Sequence, residues 1–119
     1  MRQTITVRLM SGPQDGLAIV LDLPGGSAAV TFTIGRSEEC DVSLAYDTQV
    51  SRTHAELICT VDDETVSDVD HLGPVQFQLA DVGSRNGTYL GERRLRDEAV
   101  PLERGQLFRV GRTWLRVDG

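Results

Sequence analysis

The chain contains no lysine. All twelve of its basic residues are arginine, against eighteen Asp and Glu, which leaves a formal net charge of -6 over 119 residues. An acidic balance of that size argues against general nucleic-acid binding, which needs a broad basic surface to replace counterions. A GC-rich genome accounts for the missing lysine. Arginine's planar five-donor fork also suits bidentate capture of phosphate or carboxylate, so individual arginines are worth testing. Nor is there an apolar run approaching the ~20 residues that span a bilayer. The first residues, Met1-Arg2-Gln3-Thr4, lead straight into an alternating segment without the apolar block of a secretory signal. No membrane association is expected, and the cytoplasm is the expected compartment. Cysteine is scarce. Cys40 and Cys59 form no CxxC pair and no chelating pattern with His54 or His71, so no metal is expected and two reduced, partly buried thiols are.

Helical periodicity is hard to find, whereas period-two alternation is frequent. Ile5, Val7 and Leu9 alternate with Thr6 and Arg8, and a turn cluster over residues 11–16 follows. Further strands are expected over 17–23, 30–35, 42–44, 54–61, 75–81, 88–90, 107–110 and 113–117. A two-residue hairpin turn is expected at Gly111-Arg112. Many short strands with Gly-rich turns point to an all-β sandwich or barrel, and the length fits a single domain over residues 1–119. Trp114 and Phe108 are expected in the core.

Charge is unevenly distributed. Residues 62–83 hold six acids and no arginine, whereas residues 84–119 hold eight arginines and five acids. Within the first of these, the segment from Asp62 to Gly73 reads as a solvated hairpin loop. Three other pieces each set strong donors at a strand end or turn: Gly35-Arg36, Ser51-Arg52-Thr53-His54 and Ser84-Arg85-Asn86-Gly87-Thr88. If the loops of a sandwich gather at one end, these pieces converge there. A phosphomonoester carries about -1.5 to -2 charges and three acceptor oxygens at pH 7, so it needs several charge-assisted donors. Arginine forks, a serine hydroxyl and the amides of an Asn-Gly turn meet that need.

"FTIGRSEECDVSL", "VSRTHAEL" and "DVGSRNGTYLGERRL", in that order and spacing, resemble the forkhead-associated (FHA) domain. The motifs span about residues 32–95. The resemblance implies an eleven-stranded β-sandwich with its ligand-binding loops at one end and recognition of phosphothreonine in a partner protein or in a tail of the parent chain, phosphorylated by a Ser/Thr kinase. It implies neither catalysis nor a cofactor. It places Arg36 and Ser51 on the phosphate, with Arg52 and Arg85 on the same side, Arg85 by backbone or side chain. Asn86 is placed on the ligand main chain, and Gly35, His54 and Gly87 in the architecture of the loops.

Other readings compete. Ser51 and His54, three apart, invite a Ser/His hydrolase, but no Gly-x-Ser-x-Gly elbow accompanies them. A phosphate-independent interaction or self-assembly domain is the main alternative, and an exposed sheet edge or apolar patch would favour it. Arg112 repeats the Gly-Arg pair without the motifs that follow Arg36, and reads as structural. Arg93 and Arg94 read equally as an exposed turn or as residues that steer an acidic peptide.

Overall fold

A computed structural model describes residues 3–23, 29–61, 75–96 and 98–118. The expected acidic loop therefore lies wholly outside the described residues. Eleven strands follow in chain order: β1 (Gln3–Leu9), β2 (Ala18–Leu23), β3 (Ala29–Gly35), β4 (Val42–Ser43), β5 (Ala55–Val61), β6 (Val75–Asp81), β7 (Thr88–Leu90), β8 (Arg93–Arg94), β9 (Val100–Leu102), β10 (Phe108–Val110) and β11 (Thr113–Asp118). They form a six-stranded sheet in the order β2-β1-β11-β10-β7-β8 and a five-stranded sheet in the order β4-β3-β5-β6-β9. All pairings are antiparallel except β3 with β4.

The alternation read from the sequence becomes the two faces of each sheet. Ile5, Val7 and Leu9 of β1 meet Leu115 and Val117 of β11, and lie over Phe32, Ile34, Leu57 and Leu79 of the facing sheet, all buried. Fully burying a side chain of this size stabilises the fold by about 1.5–3 kcal/mol. Phe108 is wholly buried. Trp114 is not in the core: it falls on the opposite parity of β11, half-buried on the outer face, with Arg109 beside it.

Strands β8 and β9 escape periodicity because two or three residues are too few to carry a pattern. Arg93 and Arg94 form an exposed edge strand that pairs with Leu90 and Tyr89. The turn at Gly111-Arg112 is as expected, with Gly111 at φ +60 and Val110 opposite Thr113.

Register gathers the loops. Ile34, Ala55 and Asp81 stand in one row at the end of the five-stranded sheet, and Thr88, Val110 and Thr113 in one row of the other. The loops leaving these rows therefore open at the same end of the sandwich.

Candidate functional site

The loop between β4 and β5 lies across that end and touches each neighbouring loop in turn. At its start, the Leu44 N–H donates to Gly35 O at 2.8 Å. Asp47, buried, accepts from the Arg112 N–H and the Thr113 hydroxyl, both at 2.8 Å, and from the Gln49 N–H at 2.9 Å, which pins the loop to the β10–β11 turn. Gln49 O accepts from Asn86 Nδ2 at 2.8 Å. Ser51 O accepts from the Arg36 N–H at 2.9 Å, Ser51 Oγ from the Arg85 N–H at 3.1 Å, and Arg52 O from the Ser37 N–H at 3.2 Å. Three segments spread over fifty residues of sequence thus meet at Ser51 and Arg52.

Close approach of this kind restricts what Gly35 can be. A Cβ there would lie 2.1 Å from Arg52 O and 2.8 Å from Arg52 C, both backbone atoms. Gly87, at φ +88, sits in the left-handed region, and a Cβ would meet Arg94 Nε at 2.7 Å.

His54 joins two of the loops from beneath. Ser51 N–H donates to its Nδ1 at 3.1 Å, so Nδ1 is an acceptor and the proton sits on Nε2, which donates to Gly87 O at 2.7 Å. Burial holds its pKa below the ordinary 6.5, more than the Gly87 bond and the charges of Asp81 and Asp47 raise it. The ring is a neutral crossbrace. Neither nitrogen holds the Ser51 hydroxyl, so the nucleophile–base hydrogen bond of a hydrolase is missing.

The Asn-Gly turn is built on Asp81. Its carboxylate accepts from the N–H groups of Gly83 and Ser84, each at 3.0 Å, from the Ser84 hydroxyl, and from the Thr88 hydroxyl at 2.8 Å. Burial alone would raise its pKa, but these bonds outweigh it and hold the carboxyl below the usual 3.8. The Gly87 N–H in turn donates to Ser84 Oγ at 2.9 Å. Because Asp81 ends a strand of one sheet and Thr88 begins a strand of the other, the carboxylate also ties the sheets together.

Three cations face solvent here, with two acids beside them. Arg36, Arg52 and Arg85 are exposed, and among the described residues none of their guanidinium groups has an ion pair or hydrogen bond. Arg36, Ser37, Glu38, Glu39 and Arg52 line one open recess. With its lone-pair side given to the Arg85 N–H, the Ser51 hydroxyl keeps its proton to donate. The backbone N–H of Arg85 is engaged, and its side chain is exposed. Asn86 spends one of two N–H donors on Gln49 and retains the other, together with Oδ1. The arrangement can surround a small multivalent anion with charged forks, a hydroxyl and an amide.

The FHA domain family model matches residues 32–111. The chain belongs to the FHA domain family. It is 35% identical over 101 residues to an oxoglutarate dehydrogenase inhibitor of Corynebacterium efficiens, an alignment covering 85% of this chain and 56% of that one. The chain spans about half the length of the curated relatives it matches. Among solved structures, the FHA domain of the CT664 protein from Chlamydia trachomatis superposes with a TM-score of 0.72 at 20% identity, covering 98% of each chain. A further FHA structure, from a study of phosphothreonine-dependent FHA domain interactions, matches with a TM-score of 0.64 at 25% identity, covering 98% of this chain and 97% of that one. Eleven strands in two sheets are thus the fold shared with these FHA domains.

Sequence reasoning on this FHA domain assigned no role of their own to Asp81, Ser84, Asp47 and Gln49. For the first pair a signal was available. Asp at the end of an apolar run with Gly-Ser two and three residues on is an Asx-type turn, in which the carboxylate caps those backbone N–H groups. Asp47 had no such signal, since its partners Arg112 and Thr113 lie 65 and 66 residues away.

Proposed function

We propose that this FHA domain is a non-catalytic reader of phosphothreonine, in a partner protein or in a tail of its parent chain. The observation that carries the reading is that the loops bearing Arg36, Arg52 and Arg85 meet at Ser51 and Arg52 while none of the three guanidinium groups has a partner among the described residues, in a chain of net charge -6. In an acidic protein, unpaired arginines that converge are held in reserve for an anion brought from outside. Arg36, Arg52 and Arg85 supply the charge, Ser51 Oγ–H a directed donor, and Asn86 the contact to the ligand main chain. Gly35, His54 and Gly87 fix the loops that present them. The FHA structure studied for phosphothreonine-dependent interactions supports the ligand class, and the inhibitor relative supports a role in regulation. A Ser/Thr kinase supplies the mark, nucleic acid is not a partner, and the domain works in the cytoplasm. No helix among the described residues is long and apolar enough to cross a membrane.

Calorimetry with paired phosphothreonine and unphosphorylated peptides from a degenerate library tests the reading. Binding only of the phosphorylated set is expected, weakening as salt screens the exposed cations. Ser51→Ala should lower affinity by about 1.5–3 kcal/mol, as expected for a hydrogen bond to a charged group. Equal binding of both peptide sets, or of neither, would overturn it.

A further inference from the structure

Four strands end the two sheets, and they are not protected alike. At one edge β8 is two exposed arginines, β4 is two residues long, and β9 is three residues with Pro101 at its centre. Shortness, charge and proline are the usual defences of a sheet edge. Among the described residues the fourth edge, β2, is six residues, Ala-Ile-Val-Leu-Asp-Leu, with no arginine, no proline and its single charge, Asp22, confined to the far end. Its Val20 is 62% exposed and the adjoining Leu17 45% exposed.

The hydrogen-bond parity of this edge can be read from its neighbours. Leu9 N–H donates to Leu17 O at 2.9 Å, and Met10 N–H to Trp114 O at 2.7 Å. Odd residues of β1 therefore face β2, and even residues face β11. With Arg8 opposite Ala18 and Thr6 opposite Val20, the N–H and C=O groups of Ala18 and Val20 point away from the sheet.

We infer that β2 is where two copies of this chain pair, antiparallel about a twofold axis at Ile19. In that register Ala18 of one copy and Val20 of the other exchange both hydrogen bonds, using the groups that point outward. Ile19 faces Ile19 in a non-hydrogen-bonded position, and Leu17 faces Leu21. The three pairs about the axis are apolar, Asp22 falls opposite Gly16 rather than opposite another acid, and the contact is self-complementary, as a closed twofold dimer requires. Two six-stranded sheets join into one of twelve. Antiparallel pairing turns the two anion-binding ends in opposite directions, so association and ligand binding are separate properties.

Sedimentation velocity of the 119-residue chain under reducing conditions, over a concentration series reaching the millimolar range, tests this. A monomer converting to dimer by mass action is expected. Val20→Arg should shift the midpoint at least tenfold upward in concentration with an unchanged melting temperature, because Val20 touches solvent rather than core, while Arg36→Ala should leave the midpoint in place. Register is tested by Ile19→Cys in a Cys40→Ser background. Facing residues in a non-hydrogen-bonded pair are about 4.5 Å apart at Cα, within disulfide reach, so mild oxidation should link two chains. Val20→Cys in the same background should not link. A monomer at every concentration, a dimer indifferent to Val20→Arg, or failure of the Ile19→Cys link would overturn the inference.

Discussion

Two groups of arginines in this protein differ only in what surrounds them. On the outer face of the six-stranded sheet the guanidinium groups have charged, aromatic or carbonyl neighbours within the fold. Arg8 Nε and Arg116 Nε lie 3.0 and 2.9 Å from the carboxylate oxygens of Asp118, and Arg109 stands 4.2 Å over the Tyr89 ring while donating to Gly111 O at 2.7 Å. At the loop end, Arg36, Arg52 and Arg85 find no such partner among the described residues. The contrast teaches that a cation's role follows from whether the fold supplies its counter-charge. Where it does, the arginine belongs to the scaffold. Where it does not, the guanidinium is open to an anion from outside.

The largest effect should come from removing the brace that holds the loop end in shape. His54→Ala leaves a buried Ser51 N–H and Gly87 C=O without partners and opens a cavity, a loss of about 3–5 kcal/mol by chemical denaturation. The neutral ring also gives stability a pH dependence of known sign. Its folded pKa lies below the unfolded 6.5, so the contribution is intact above 6.5 and declines as pH falls toward the folded value, because the unfolded chain takes up the proton first. Asp81, held below 3.8, adds a second and more acidic decline of the same sign. Denaturation between pH 8 and 5 should show the first slope in the wild type and its reduction in His54→Asn; equal slopes would place the titration elsewhere.

Arg36→Ala comes next, and it breaks the comparison at its functional side. Phosphothreonine peptide affinity should fall by about 1.5–3 kcal/mol, roughly 10- to 150-fold, with unchanged stability. Gly35→Ala acts on the same site through geometry. Its Cβ would collide with the Arg52 carbonyl, so a stability loss of about 1–3 kcal/mol and a displaced Arg52 loop are expected, visible as a melting shift and weaker peptide binding.

Arg109→Ala is the mirror experiment. It should cost about 1 kcal/mol of stability through lost ring contact and leave peptide affinity alone. Reduced affinity would mean that the outer face belongs to the ligand site after all. The smallest effect is expected at Arg93, whose exposed contact with Glu98 is 3.8 Å long. Arg93→Gln should change stability by less than about 0.5 kcal/mol.

Much of the fold was legible before any coordinates, for reasons that vary from strand to strand. β1 and β11 alternate cleanly because one face is core and the other solvent. β8 and β9 were invisible to periodicity because their pairing is imposed by β7 and β6 rather than by their own pattern. Trp114 was misplaced because size suggests burial, whereas strand parity turned it outward. At the site, Arg36, Ser51 and Asn86 stood in motifs ordered along the chain and could be singled out. Asp47 could not, because nothing within several residues of it hints at the Arg112 and Thr113 donors. Cys59 shows the limit from another side. Its thiol, expected to be reduced and partly buried, is wholly buried in the core, and burial pushes its pKa up to about 12.

The sequence by itself determined the β class, the turn positions and the residue types able to hold an anion, because alternation, Asn-Gly chemistry and arginine forks are local properties. Tertiary structure decided which arginines were left without a partner. That outcome depends on strand register, which places Asp118 beside Arg8 and Arg116, while among the described residues no carboxylate pairs with Arg36, Arg52 or Arg85. Register is fixed by the burial of a whole core face, and no local stretch contains it.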